Sequence, residues 1–416
     1  MCGPLPLRPI TLSERLANML RSCRSWVLIP ALVLCPTAAV AQAGRPTGCA
    51  AAAAPVASFP WRFLAAVAAG KPGDNVAISP ASAAEALRML QAGAGGSTRQ
   101  ALDCAVGTGR QGRRTIASRE DSAVTLAVGN SVWLRGDLTP APAWESTLKR
   151  DFRAEVASLD LSSGAAMNRI NGWVRRATHD KITGILDQPP DALTLLLLLN
   201  AVYFKGRWAA EFDTARTRPD SFNLAGGKRV PVQMMWRTGS YRLAKRDGAT
   251  LIRLPYRGDR YAFYVALPDS GRTLAAIERG LGRRNWRSWQ DSLGFQEVRL
   301  GLPRFRLTAT EDLKAPLTVM RLGIMFRSDS ADFSPMFARP PADGLRPFVG
   351  AARQKVFLEV NEEGTEAAAV TDIGLAIASV PPPPALVIVN RPFLFVLQDD
   401  SSRAVLFAGR VTDPTR

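Results

Sequence analysis

The sequence predicts a mixed fold of helices and strands, and three observations carry that expectation. Runs of alternating apolar and polar residues dominate the second half, such as VPVQMMWRTGSY, with turn residues between them. The first half carries text of helical spacing, in which Ile170, Trp173, Val174 and Ala177 fall on one stripe. Between them lies the most apolar stretch, Leu193 to Phe204, which contains Asn200 and is too short to span a membrane. It reads as a central strand buried on both faces.

Composition bounds the function. At 416 residues, 47% hydrophobic and 21% charged, the chain can bury a large core. The net charge of +17 permits a polyanion partner. The basic residues are scattered along the chain in short pairs such as Arg113-Arg114 and Arg283-Arg284. No aromatic-interleaved basic stripe and no zinc or helix-turn-helix spacing appears in the linear text, so no specific nucleic-acid role is expected. No Cys/His cluster has ligand spacing, so neither a metal nor another cofactor is expected. His179 is the single histidine, and any Ser-His-Asp or Cys-His enzyme would have to use it. No nucleophile motif flanks it and no G-x-S-x-G occurs, so no catalytic residue is assigned.

Residues 1 to 43 read as a secretory signal. Arg8, Arg15, Arg21 and Arg24 precede the apolar run Trp26 to Val40, and small-residue cleavage patterns follow around Ala41. The run is too short and too proline-broken to span, so no membrane anchor is expected, and the mature chain (44–416) is expected to be secreted or periplasmic. Cleavage leaves Cys49 and Cys104; an oxidising compartment allows a disulfide, and the sequence leaves the pairing open.

Along the mature chain, Ala50 to Ala69 reads as a helix with Trp61, Phe63, Leu64 and Val67 on its apolar face. Val76 to Ile78 is a short buried strand ending at Ser79-Pro80, and Ser82 is expected to cap a helix that includes Glu85. The strand SAVTLAVGNSVWL, the helix TPAPAWESTLKRDF and the strand AEVASLDL follow. After the central strand come the alternating segments LIRLPY, YAFYVALP and VRLGLPRFRL, and the chain closes on LVIVNRPFLFVLQDD and AVLFAGRVTDP.

One stretch breaks the pattern. Val356, Leu358 and Val360 alternate as a strand, and then Gly364 to Ser379 gives sixteen small or β-tolerant residues without proline, ended by four prolines. Its odd positions through Leu375 are small or apolar, and its only charges, Glu366 and Asp372, fall on the even face. Such a segment can enter a sheet without burying a charge, although Gly364 and the prolines mark it as a loop.

The hinge NEEGTEAAA, residues 361 to 369, resembles that of inhibitory serpins almost letter for letter. Asn390 to Phe393 resembles their C-terminal strand signature, and NAVYFKGRW, residues 200 to 208, resembles their best-known strand pattern. With further segments in the expected order, the resemblance runs from roughly residue 56 to 414. It implies an α+β serpin fold with three β-sheets, about nine helices and an exposed reactive-centre loop at about 364–385. It also implies a monomer that is not an enzyme but a suicide substrate, caught with its target serine protease as a covalent acyl-enzyme. A non-inhibitory serpin with a carrier, chaperone or polyanion-binding role is the alternative.

Carried over by position, the resemblance places the hinge at Glu362, Gly364, Thr365, Ala367, Ala368 and Ala369. The reactive bond falls between Ala378 and Ser379, and alanine there implies a protease of elastase-like or subtilisin-like specificity. Trp208 and Arg304 belong to the breach, with Arg304 pairing Glu362, and Ser79, Ser82, Asn200 and Gln354 belong to the shutter. Two positions depart from the family. The segment from Ser379 to Asn390 is longer than usual, with Ile377, Ala376 and Leu375 as fallback bond positions. Gln354 stands where a histidine is usual, and glutamine can both donate and accept.

Overall fold

Helix α1 (Phe59–Ala69) buries Phe59, Trp61, Phe63, Leu64 and Val67, the residues its spacing puts on one face. This computed structural model describes residues 59–108, 116, 118–283, 286–341, 344–364 and 383–416, all within one unit, Arg45–Arg416. The expected signal segment, Cys49, the hinge residues Thr365, Ala367, Ala368 and Ala369, and the expected bond Ala378–Ser379 lie outside the described residues. Cys104 is disulfide-bonded, and its partner too lies outside them.

Strand β1 (Val76–Ile78) runs into α2 (Pro80–Ala92), where proline in the first turn sacrifices no helical hydrogen bond. The expected cap at Ser82 is corrected here. The helix has already begun at Pro80, Ser79 stands at the cap without a side-chain capping bond, and both hydroxyls bond elsewhere. Next come α3 (Gly96–Val106), β2 (Arg119–Glu120), β3 (Val124–Arg135), α4 (Pro142–Phe152) and β4 (Glu155–Leu159). Helix α5 (Gly164–Ala177) is capped by Ser163, whose hydroxyl accepts from the Ala166 amide at 3.1 Å. His179 lies just beyond its end, exposed, at a φ of 50°.

The apolar run forms β5 (Leu196–Gly206), a start later than the sequence suggests. Leu193 is 70% exposed because its amide donates to the Asp191 carboxylate at 2.7 Å in the preceding turn. Strands β6 (Arg218–Asn223), β7 (Arg229–Arg246), β8 (Ala249–Pro255) and β9 (Tyr261–Pro268) follow the alternating text. Helices α6 (Leu274–Arg283) and α7 (Trp286–Asp291) precede β10 (Gly294–Pro303) and β11 (Phe305–Asp312). Helix α8 (Lys314–Leu317), β12 (Val349–Val360), β13 (Ala385–Ile388), β14 (Phe393–Asp399) and β15 (Ala404–Val411) complete the chain.

Among the described residues the strands form two hydrogen-bonded sheets. The smaller has the order β11-β12-β5-β3-β2 with β4 on β3, and within it β12·β5 and β3·β4 are parallel. The larger has the order β1-β15-β14-β9-β8-β7-β10-β13 with β6 on β7. Two of the three expected sheets are joined through β7, whose first residues pair with β6, whose middle residues pair with β10 and whose last residues pair with β8. One core lies where the sheets face, with Phe204, Phe305, Val356 and Leu358 meeting Phe263, Phe395 and Phe407. A second lies beneath the helices, where Trp61 packs on Trp286 at 5.3 Å. No helix among the described residues is long and apolar enough to cross a membrane.

Candidate functional site

Strand β12 ends where the connection to β13 begins, so its neighbours decide what that connection can do. It pairs in parallel with β5 from Val349/Leu196 to Leu358/Phe204 and antiparallel with β11. Along the parallel seam Gln354 is registered with Asn200, and Asn200 in turn with Asn130 of β3. Register alone therefore lines three amides up across three strands.

Their side chains form a polarised row. Gln354 Nε2 donates to Asn200 Oδ1 at 2.6 Å, Asn200 Nδ2 to Asn130 Oδ1 at 2.7 Å, and Asn130 Nδ2 to Glu85 Oε2 at 3.3 Å. Helix α2 runs beneath, and three-residue spacing puts Ser79, Ser82 and Glu85 on one side of it. The Ser79 amide donates to Gln354 Oε1 at 2.8 Å, and the Ser79 hydroxyl to the Leu406 carbonyl at 2.6 Å. Ser82 Oγ accepts from Asn200 Nδ2. All six side chains are buried, where an unmatched polar group is costly, so the row ties α2 to three strands.

Glu85 ends the row. Burial pushes its carboxyl up to about 8, against the hydrogen bond from Asn130 and the charge of Arg88. Near neutral pH it is therefore mostly protonated. Its Oε1 has no hydrogen-bond partner.

At the end of β12 the chain is rooted. Asn361 to Gly364 make a tight turn, closed by the Gly364 amide on the Asn361 carbonyl at 3.2 Å. Trp208 holds it twice, through its amide to the Glu363 carbonyl at 3.1 Å and through Nε1 to the Asn361 carbonyl at 2.9 Å. The indole stacks on Tyr256 at 4.5 Å, which fixes its direction. Phe212 donates its amide to the Glu362 carbonyl at 2.8 Å. The Glu362 carboxylate accepts from Thr217 Oγ1 at 2.7 Å and pairs with Arg304. Burial acts to raise this carboxyl, but the bonds from Arg304 and Thr217 overcome it and hold it below the usual carboxylate value. Arg304 is half exposed, so the pair joins a buried acid to a solvated base.

The residues singled out from the sequence thus gather in two places. Ser79, Ser82, Asn200 and Gln354 meet at the seam, and Trp208, Arg304, Glu362 and Gly364 at the root. Asn130, Glu85 and Thr217 join them without having been singled out. A polar residue amid the apolar text of β3 was the signal for Asn130, and i+3 spacing from Ser82 was the signal for Glu85.

An α+β chain with a closed mixed sheet, leaving it through a rooted connection to a second sheet, has the architecture of a serpin. The family model for serpin (serine protease inhibitor) matches residues 54–414, and the chain belongs to that family. Its members are mostly protease inhibitors. The chain is 33% identical over 363 residues to Serpin-Z1C of Triticum aestivum, covering 82% of this chain and 90% of the relative. It is 33% identical over 360 residues to glia-derived nexin of Homo sapiens, covering 83% and 89%. The crystal structure of native protease nexin-1 with heparin is similar at a TM-score of 0.77 and 30% identity, covering 86% of this chain and 98% of that one.

Proposed function

We propose that the protein is an exported suicide-substrate inhibitor of a serine protease that prefers small residues, with residues 1–43 as its signal and 44–416 as the inhibitory domain. The parallel seam between β12 and β5 carries this reading. A chain leaving β12 at Gly364 and cut beyond it can fold back between the two strands and lie antiparallel to both. One parallel pairing is then exchanged for two antiparallel ones, which are slightly stronger per residue. About a dozen residues gaining ladder bonds of ~1 kcal/mol net each make the exchange strongly downhill. Thr365, Ala367, Ala369 and Thr371 are small enough to pass beneath the sheet.

The protease serine attacks the Ala378 carbonyl carbon, the bond to Ser379 breaks, and the new amine leaves with its proton. The ester that remains ties the enzyme to the moving strand, and insertion distorts its active site before water can hydrolyse the ester. In this reading the buried row acts as the shutter that keeps the seam closed, and the Trp208–Glu362–Arg304 contacts form the breach where insertion starts. The +17 charge suits an additional polyanion partner.

The test is to mix the mature protein with pancreatic elastase and with subtilisin, followed by denaturing gels and mass spectrometry. A denaturant-stable complex and a peptide starting at Ser379 are expected. Thr365→Arg, which puts a charge at the first inserted position, is expected to give cleaved chain in place of complex. Clean cleavage of the wild type by both enzymes with no complex overturns the proposal in favour of a carrier or chaperone.

A further inference from the structure

The linear sequence shows no basic stripe, but the fold assembles one. Trp236 and Arg242 of β7 share a face with Gly301, Arg299 and Phe295 of β10, because each pair of registered strand neighbours points the same way. The Trp236 ring lies over Gly301, where a Cβ would come within 3.0 Å of it. Arg218 of β6 and Arg299 hold their guanidinium carbons 5.1 and 5.3 Å from the indole, and Arg242 sits 5.8 Å from the Phe295 ring. Neither Arg218 nor Arg299 pairs with a carboxylate among the described residues. Phe295 is 80% exposed, and Leu386 of β13, registered with Arg299, is 60% exposed.

We infer that this face docks an acidic rim of the protease that cuts the loop; the inference rests on the inhibitor reading above. Position argues first. Strand β13 begins at Ala385, six residues beyond Ser379, so the face lies within roughly 20 Å of extended chain from the proposed bond. Chemistry argues next. Guanidiniums stacked on an indole are pre-organised to give paired hydrogen bonds to carboxylates. Glu297, on the same face between Phe295 and Arg299, interrupts the positive charge, and the exposed Phe295 and Leu386 offer nothing to a sulfated chain. A protein rim mixing carboxylates with apolar side chains fits this surface better than a continuous polyanion.

The experiment follows consumption of intact chain by pancreatic elastase, unmodified and with its lysines succinylated, normalised to each enzyme's turnover of a small peptide. Wild type is compared with R218S/R299S and with E297Q. At low salt the succinylated enzyme is expected to consume wild type on the order of tenfold faster than R218S/R299S, with E297Q faster still. The difference should vanish in about 0.5 M sodium chloride. Equal rates for all three at low salt overturn the proposal. So does loss of heparin retention in R218S/R299S with no change in rate, which assigns the face to a polyanion. The split between trapped and cleaved chain on the same gels reports the inhibitor reading separately. Cleavage without trapping would sink that reading, and the rate ratio would still decide the surface.

Discussion

A methyl group added at Gly364 would stand 2.4 Å from both the Gly206 carbonyl oxygen and the Trp208 amide nitrogen, at a φ of 79°. Gly364→Ala is therefore expected to cost roughly 1–3 kcal/mol, seen as a lower Tm together with freer cleavage near the root. Glu85 makes the opposite demand, since its environment favours the proton. Its folded value of about 8 stands above an ordinary 4.5, so the folded chain keeps a proton that the unfolded chain has released. Its contribution is full below the ordinary value and declines as pH rises from there to about 8. Glu85→Gln should flatten that decline in a denaturant series; parallel pH profiles for variant and wild type would clear Glu85 of the role. The resemblance singled out Ser79, Ser82, Asn200 and, as a departure from the usual histidine, Gln354, and the structure brings these four together in one row. The sequence hid Glu85 because an acid three residues after a serine fits a capping box and a buried helix face equally well, and only the helix start at Pro80 decides between them.

The strand β12 is where elements compete. Its alternation was plain in the text, but its parallel register with β5 was not, because register follows from packing on both faces rather than from local pattern. The single amide of Gln354 holds that register to α2 through Ser79 and to β5 through Asn200. Gln354→Leu leaves Asn200 Oδ1 and the Ser79 amide without this partner in a buried place, at a cost of about 1–3 kcal/mol. Backbone hydrogen exchange should then rise in β12 and β5 more than in β14 and β15. A uniform rise across both sheets would mean that the row stabilises the whole fold rather than guarding the seam. The delayed start of β5 was hidden for a local reason, since Leu193 looks like strand but its amide is held by the Asp191 carboxylate in the preceding turn.

At the scale of the whole molecule, the proposed exchange of strands predicts that the native form is held by kinetics. A chain cleaved in the loop should melt at a higher temperature than the intact one, and an equal or lower Tm after cleavage would mean that no strand was gained. Overall composition announced the positive charge but not the Arg218–Trp236–Arg299 stack, whose members are brought together from three strands by the path of β7. The same larger sheet has a further consequence. Strands β14 and β15, which follow the loop, lie inside it, with β9 on one side and β1 on the other. A cut anywhere between Gly364 and Ala385 leaves two polypeptides laced together by ladder hydrogen bonds. The nicked molecule would keep its full mass on a sizing column and part into two only when unfolded, so each molecule carries a lasting record of having met a protease.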